Sequence, residues 1–296
     1  MANFREIRRR LRAVQGTAKI TRAMQLVAAS KMRRAQVAAT EGRRHSFRLE
    51  ELAGCLNALL DSGREVPPLL LRRPVRTRGV VLIATERGLC GALNQNTFRL
   101  LPREDSSAKI RYVAVGKKGT QLLTAKNLPP VAEFSVASEV PFFQARAVAD
   151  FLRDAYLAGE VDSVEVAHPL YVNTLRQETI LRQLLPLDGA AKNLLRRSEL
   201  LHSEGEPLPA DPRELFLEPS LSEILEMLAE SFLRLEIYHL LLESKAAEQS
   251  ARMVAMKMAT DNAEDLAKEL ELAHNKARQA AITDEILEIS SAKFSN

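Results

Sequence analysis

Residues 221–290 read LSEILEMLAESFLRLEIYHLLLESKAAEQSARMVAMKMATDNAEDLAKELELAHNKARQAAITDEILEIS, and no proline or glycine falls between Ser220 and Asn296. Nothing in this stretch stops or kinks a helix. Alternating steps of three and four residues pick out one seam. It starts with Leu225, Leu228, Phe232, Leu235, His239, Leu242 and Ala246. It continues through Gln249, Met253, Met256, Thr260, Ala263, Ala267, Leu270, His274, Ala277 and Ala281. Such a heptad stripe predicts a coiled coil. At about 1.5 Å per residue, a helix over 221–290 is roughly 105 Å long. No compact domain of this chain's size buries a helix of that length, so the stretch predicts a shaft.

The seam is Leu-rich in its first third and turns to Ala, Met and Thr from Ala246 onward, with Gln249 and His274 interrupting it. Small residues give little burial energy but let helices approach closely, and polar seam residues fix register at some cost in stability. A partner helix is implied, either in a second copy of the chain or elsewhere in the same one. The other end of the chain offers one. Phe4, Ile7, Leu11, Val14, Ala18, Thr21, Gln25, Ala28, Met32 and Ala35 step by three and four and also turn small and polar midway. Residues 3–60 therefore predict a first long helix, stopped near Asp61, Ser62 and Gly63. Two long helices joined through a globular middle pair antiparallel.

Proline separates the parts. All 13 prolines lie between Pro67 and Pro219. The expected organisation is an N-terminal shaft helix over 1–66, a globular domain over 67–213 and a C-terminal shaft helix over 214–296. Within the middle, Val80–Ala84, Tyr112–Val115 and Val161–Ala167 read as strands, with a last one over Thr179–Leu185. The first is a continuous apolar run of the kind buried parallel strands show. Helices are expected from Asn94, as cap, through Leu101, after Gly119 to about Lys126, and over Phe142–Leu157. This alternation predicts an α/β, Rossmann-like layered domain. Residues 186–213 are polar and proline-bearing and read as a flexible, exposed connection.

The termini differ in charge. Residues 1–48 carry 13 Lys and Arg against 2 Asp and Glu, whereas residues 221–296 carry 8 against 14. The two ends are electrostatically complementary. A basic first helix also fits phosphates, so a basic coiled-coil nucleic-acid-binding protein is the alternative reading. Against it, only Phe4 and Phe47 supply aromatics before residue 50. Two cysteines, Cys55 and Cys90, give no disulfide framework and fit a reducing compartment. No apolar run approaches the ~18 residues of a membrane span. The Arg-rich start lacks the early serines of a transit peptide and the apolar core of a signal peptide, and is read as mature protein.

No constellation of residues for chemistry stands out in the sequence. Arg87-Gly88-Leu89-Cys90-Gly91 and Gly116-Lys117-Lys118-Gly119 match no phosphate-binding fingerprint and read as tight turns. His45, His168, His202, His239 and His274 have no ligand spacing with one another or with cysteine. Cys90 reads as a buried thiol. No catalytic residue, nucleotide site, metal site or cofactor is expected.

Long runs at both ends resemble the gamma subunit of F-type ATP synthases. They are Ile7–Arg10, Gln15–Met24 and Val27–Gln36 at the start. At the end they are Ala251–Lys257, Ala259–Ala263, Asn275–Ala280, Ile282-Thr283 and Glu288-Ile289. Arg87–Gly91 and Glu218-Pro219 also match. The resemblance implies a non-catalytic rotor chain, one copy per complex, whose terminal helices form an antiparallel coiled coil inside a hexamer of alpha and beta subunits. Its α/β domain would hold the epsilon subunit and the c-subunit ring, at the cytoplasmic face of a bacterial plasma membrane. Ion flow, of protons or sodium, would turn the ring and the shaft, driving ATP synthesis or hydrolysis on the beta subunits. Small and polar seam residues would keep such a shaft thin and free of apolar patches. By the same resemblance Met24, Lys31, Arg252, Arg278, Gln279, Thr283 and Glu288 contact beta, and Leu217 and Glu218 contact the c ring or epsilon. Two positions depart from the family pattern: Glu86 replaces its usual aspartate, and Ser291 replaces a common glycine. The cysteine-bearing regulatory insertion of chloroplast relatives is absent, so no thiol switch is expected.

Overall fold

The computed structural model describes residues 2–60, 67–102, 108–187 and 220–294. Two long helices bound the chain: α1 over Ala2–Leu60 and, after the sheet domain, α5 over Leu221–Phe294. Both agree with their sequence-predicted spans to within a few residues. Ser220 caps the start of α5, because the Glu223 N–H three residues on donates to Ser220 Oγ at 3.3 Å.

Two compact units result. One comprises residues 31–251, the other residues 1–30 with 252–296. In the first lies a five-stranded sheet of β1 (Thr77–Ile83), β2 (Lys109–Val115), β3 (Ala132–Phe134), β4 (Ser163–Tyr171) and β5 (Gln177–Leu185). Their order is β3-β2-β1-β4-β5. The first four strands run parallel and β5 returns antiparallel beside β4 through a tight hairpin. Helices α2 (Leu93–Arg99), α3 (Lys117–Ala125) and α4 (Phe142–Leu157) fill the connections. The three-residue β3 was not anticipated, since Ala132–Phe134 is too short for an alternation to register.

Both faces of the sheet are covered, which is why its strands read as continuous apolar runs. Val81, Ile83, Val113, Val115, Val164 and Val166 pack against α4 and the first half of α5, through Val148, Leu152, Leu233 and Ile237. Val80, Leu82, Tyr112 and Ala114 face the other way, onto Phe98, Leu101 and Leu123. Each fully buried aliphatic side chain contributes about 1.5–3 kcal/mol. Asp150 and Glu230 tie α4 to α5: Arg234 donates to both at 2.8 and 3.1 Å, and Arg153 donates to Glu230 at 3.1 Å. Burial would raise the Asp150 pKa, but the hydrogen bond and charge of Arg234, with Arg146 and Arg153, hold it below the usual range.

One local expectation is corrected. Asn94 does not cap α2; Ala92 stands at that position. The Asn94 side chain turns back instead, accepting from the Thr85 N–H at 3.0 Å and donating to Thr85 Oγ1 at 2.8 Å and Cys90 Sγ at 3.3 Å. The helix ends at Arg99, before Leu101. Most of the predicted connection, residues 188–213, lies outside the described residues.

Candidate functional site

In open α/β sheets, ligands sit outside the carboxyl ends of the strands where the strand order reverses. Here that edge is closed by the chain's own α5. Residues 241–252 are buried on every side of the helix. Leu241, Ser244, Lys245 and Glu248 of α5 meet Ile83, Thr85, Val115, Val136 and Pro169 around a cavity of only about 10 Å³. Such a space holds a water at most. Lys245 and Glu248 form an ion pair there at 3.1 Å, 9% and 6% exposed. A nucleotide has no room at this edge.

Of the two glycine-bearing segments, Arg87–Gly91 is a turn, whereas Gly116 stands at the cap of α3 and Lys117–Gly119 begin the helix. Leu89 and Gly91 take positive φ, 64° and 61°, so the turn needs left-handed backbone at a leucine as well as a glycine. Cys90 is 2% exposed and packs on Leu93 and Ala251. Gly116, at φ 94°, lies against β1 so closely that a Cβ would stand 2.3 Å from the Ala84 carbonyl oxygen. Glu86 accepts from the Val136 N–H at 2.9 Å, so the longer carboxylate at this departure still staples the loop after β3. His168 and His239 are buried in the sheet unit, and no cluster of metal-ligating side chains occurs among the described residues. His45 and His202 lie outside what is described of side chains.

The unit formed by residues 1–30 and 252–296 is a pair of helical segments running antiparallel. Phe4 stacks on His274 with ring centroids 4.5 Å apart, while Thr21 Oγ1 meets Thr260 Oγ1 at 2.7 Å. Rising numbers on α1 thus meet falling numbers on α5. Every seam position predicted between Phe4 and Ala28, and between Met253 and Ala281, is buried or half-buried. The threonine pair sits where the seam is smallest, 8% and 2% exposed. Thr260 also reaches the Met256 carbonyl at 2.8 Å and Thr21 those of Thr17 and Ala18 at 3.1 Å. Each hydroxyl thus has a carbonyl on its own helix as well as its opposite number, and slipping the helices by a turn would break the cross-helix contact while leaving the intrahelical ones. No site role is expected of either from the sequence, which shows a threonine in each small-residue seam but not that the two face each other.

Electrostatic complementarity is weaker than the charge counts suggested. Among the described residues one ion pair crosses between the segments, Arg22 with Glu264 at 3.2 Å, exposed on both sides. Such a pair is worth about 0–1 kcal/mol. Arg5, Arg8, Arg9, Arg12 and Lys19 remain exposed on α1, and Asp261, Asp265, Glu269 and Glu271 on α5. The outer faces are not free of large apolar groups either. Ile20, Leu26, Val27, Met258 and Leu272 are 54–72% exposed. Helical pairing has consumed the small residues and left charge and apolar bulk facing outward.

The sequence-predicted contact residues are spread over both units. Met24 and Lys31 are half-buried, and Arg252 is 9% exposed. Arg278, Gln279 and Thr283 project outward, and Thr283 Oγ1 donates to the Gln279 carbonyl at 2.9 Å. The side chain of Glu288, and all of Leu217 and Glu218, lie outside the described residues. No described helix is long and apolar enough to cross a membrane.

One unit carries a sheet whose ligand-serving edge is filled by its own helix, and the other is an antiparallel helical pair, the two parts of a stalk-type chain. Comparison with known proteins agrees. The ATP synthase family profile matches residues 3–293. The chain is 42% identical to the ATP synthase gamma chain of Opitutus terrae over 297 residues, covering 99% of each chain. It is 41% identical to that of Methylacidiphilum infernorum, again over 99% of each. In fold it resembles chains of two Euglena gracilis mitochondrial ATP synthase structures, both at 20% identity. One is the rotor, TM-score 0.66, covering 95% of this chain and 99% of that one. The other is the OSCP/F1/c-ring assembly, TM-score 0.68, covering 99% and 94%. The chain belongs to the ATP synthase gamma-chain family. The nucleic-acid reading gains no support from these relatives.

Proposed function

We propose that this chain is the central-stalk rotor of an ATP synthase, coupling ion-driven rotation of a c-subunit ring to ATP synthesis or hydrolysis at a hexamer of alpha and beta subunits. The observation that carries the reading is the antiparallel helical stem, thin at its seam and exposing charge and apolar groups outward, in a chain of this family. An exposed apolar and charged surface of that kind calls for a surrounding partner. In this reading one copy enters each complex, and the shaft segments 1–66 and 214–296 supercoil as a coiled coil. The domain over 67–213 holds epsilon and the c ring. The chain works at the cytoplasmic face of a bacterial plasma membrane and carries no catalytic group, since the reaction belongs to the beta subunits.

Beta contacts are assigned to Met24, Lys31, Arg252, Arg278, Gln279, Thr283 and Glu288, and c-ring or epsilon contacts to Leu217 and Glu218. The exposed Arg278, Gln279 and Thr283 are best placed for a partner's loops; Arg252 is largely buried. Met24→Lys brings a cation to a half-buried stem position. It should lower ion pumping per ATP hydrolysed while leaving assembly intact, and an unchanged ratio would remove Met24 from the contact set.

The experiment is reconstitution. Alpha and beta subunits of the same organism are mixed with and without this chain, and complex mass and ATP hydrolysis are measured. One copy per hexamer with increased hydrolysis is expected. A chain that stays out of the hexamer refutes the rotor reading, and a salt-dependence assay on nucleic acid then follows.

A further inference from the structure

We propose that two loops at the carboxyl ends of β1 and β4 form a collar that grips α1 and α5, and that this collar delivers torque from the sheet to both helices together. The proposal rests on the rotor reading. A rotor's helices must not twist freely against the domain that drives them, and apolar packing alone is non-directional. Hydrogen bonds at one level of both helices supply the missing direction.

The β4–β5 hairpin is built to be stiff. Asn173 Oδ1 accepts from the N–H groups of Leu175 and Arg176 at 2.9 and 2.8 Å, and the Asn173 N–H donates to the Arg176 carbonyl at 3.1 Å. This closes the tip as an Asx-type turn. The stiff tip then engages both helices through Thr174. On the α5 side, Ser250, fully buried, donates to the Thr174 carbonyl at 2.7 Å and accepts from Gln177 Nε2 at 3.0 Å. On the α1 side, Gln36 Nε2 donates to the Tyr171 hydroxyl, which lies 3.4 Å from Thr174 Oγ1. One residue of the hairpin is thus linked to position 36 of one helix and position 250 of the other.

The second jaw is the turn Arg87–Gly91. Its Cys90, with Leu93, packs on Ala251, the residue after Ser250. The turn is itself stapled, by Asn94 to Thr85 and by Thr85 Oγ1 to the Arg87 carbonyl at 2.7 Å. Two rigid loops from different strands therefore hold adjacent residues of α5. The pattern gives the Arg-Gly-Leu-Cys-Gly motif a mechanical task in place of the phosphate binding it lacks. Gln36, Tyr171, Gln177 and Ser250 are positioning residues in this device.

The test uses the assembled complex. An alpha–beta hexamer containing this chain is fixed to glass, and a bead is attached through Lys117→Cys, exposed at the start of α3. Angular fluctuation of the bead in the stalled complex reports torsional stiffness. A buried hydrogen bond changes a docked-to-released ratio by roughly 2- to 10-fold. Tyr171→Phe with Ser250→Ala should therefore broaden the angular variance about twofold, with unloaded ATP hydrolysis unchanged. Gln36→Glu, whose carboxylate accepts from the Tyr171 hydroxyl, should keep the original variance. Original variance in the double variant overturns the collar while leaving the rotor intact. If the double variant does not assemble, Tyr171→Phe alone, which removes one oxygen from a half-exposed ring, decides by the same comparison. Failure of the unsubstituted chain to enter the hexamer overturns the rotor reading itself, and with it the collar.

Discussion

Gly116 and Gly91 both have positive φ, yet they are held for different reasons. At Gly91 nothing lies within 4 Å of a would-be Cβ, so only backbone strain opposes a side chain. Gly91→Ala should cost about 1–2 kcal/mol. At Gly116 the same methyl would strike the Ala84 carbonyl oxygen at 2.3 Å, with φ at 94°. Backbone there cannot yield without parting β1 from β2. Gly116→Ala should cost about 3 kcal/mol or more. Thermal unfolding of the two variants side by side checks the order, and equal losses would show that a methyl group fits beside the Ala84 carbonyl. Sequence reading marked both as turn glycines; only the distance to Ala84 separates them.

Between elements, polar pairs set register where apolar packing does not. Thr260→Val removes one hydroxyl of the seam pair and should destabilise by about 1 kcal/mol, as should Thr21→Val. The double variant should cost less than the sum, because the cross-helix contact that both single variants break is lost only once. A double-mutant cycle by chemical unfolding would read a coupling of about 0.5–1.5 kcal/mol, and strict additivity would deny the contact. The α4–α5 lock carries a pH signature. Asp150 is depressed in the folded state, so its contribution is fully present above the unfolded carboxylate pKa, near 4, and is lost as pH falls through the lower folded value. Asp162 follows the same sign, because the N–H groups of Thr77 and Arg76 donate to it at 2.9 and 2.8 Å. Asp150→Asn should lower stability near neutrality and flatten its further loss below about pH 4. An unaltered acid limb would put the titration elsewhere.

For the molecule as a whole, the lack of ligand space at the carboxyl edge of the sheet has a physical cause. The edge at which a doubly wound sheet serves ligands is filled by α5, and the Lys245–Glu248 pair is sealed there. The buried Cys90 and the missing insertion predict that mild reduction leaves ATP hydrolysis of the assembled complex unchanged. A rate change on reduction would place a thiol switch on this chain.

The sequence by itself determined the elements. A stretch free of proline and glycine with one heptad seam forms a helix whatever surrounds it, and continuous apolar runs between glycine turns form buried strands, because both signals are local. The family, too, was legible in the terminal runs and in Arg87–Gly91. Tertiary structure alone decided which polar residues became structural. Nothing in the chain order announces that Thr21 faces Thr260, that Asn94 abandons its cap for Thr85 and Cys90, or that Ser250 and Gln36 meet one hairpin. Nor did the surplus of cations at one end and acids at the other foretell a single cross-helix ion pair in the described stem. Charge counts sum over a helix, whereas an ion pair needs two side chains on facing edges of a seam, and register is fixed only when the helices pack.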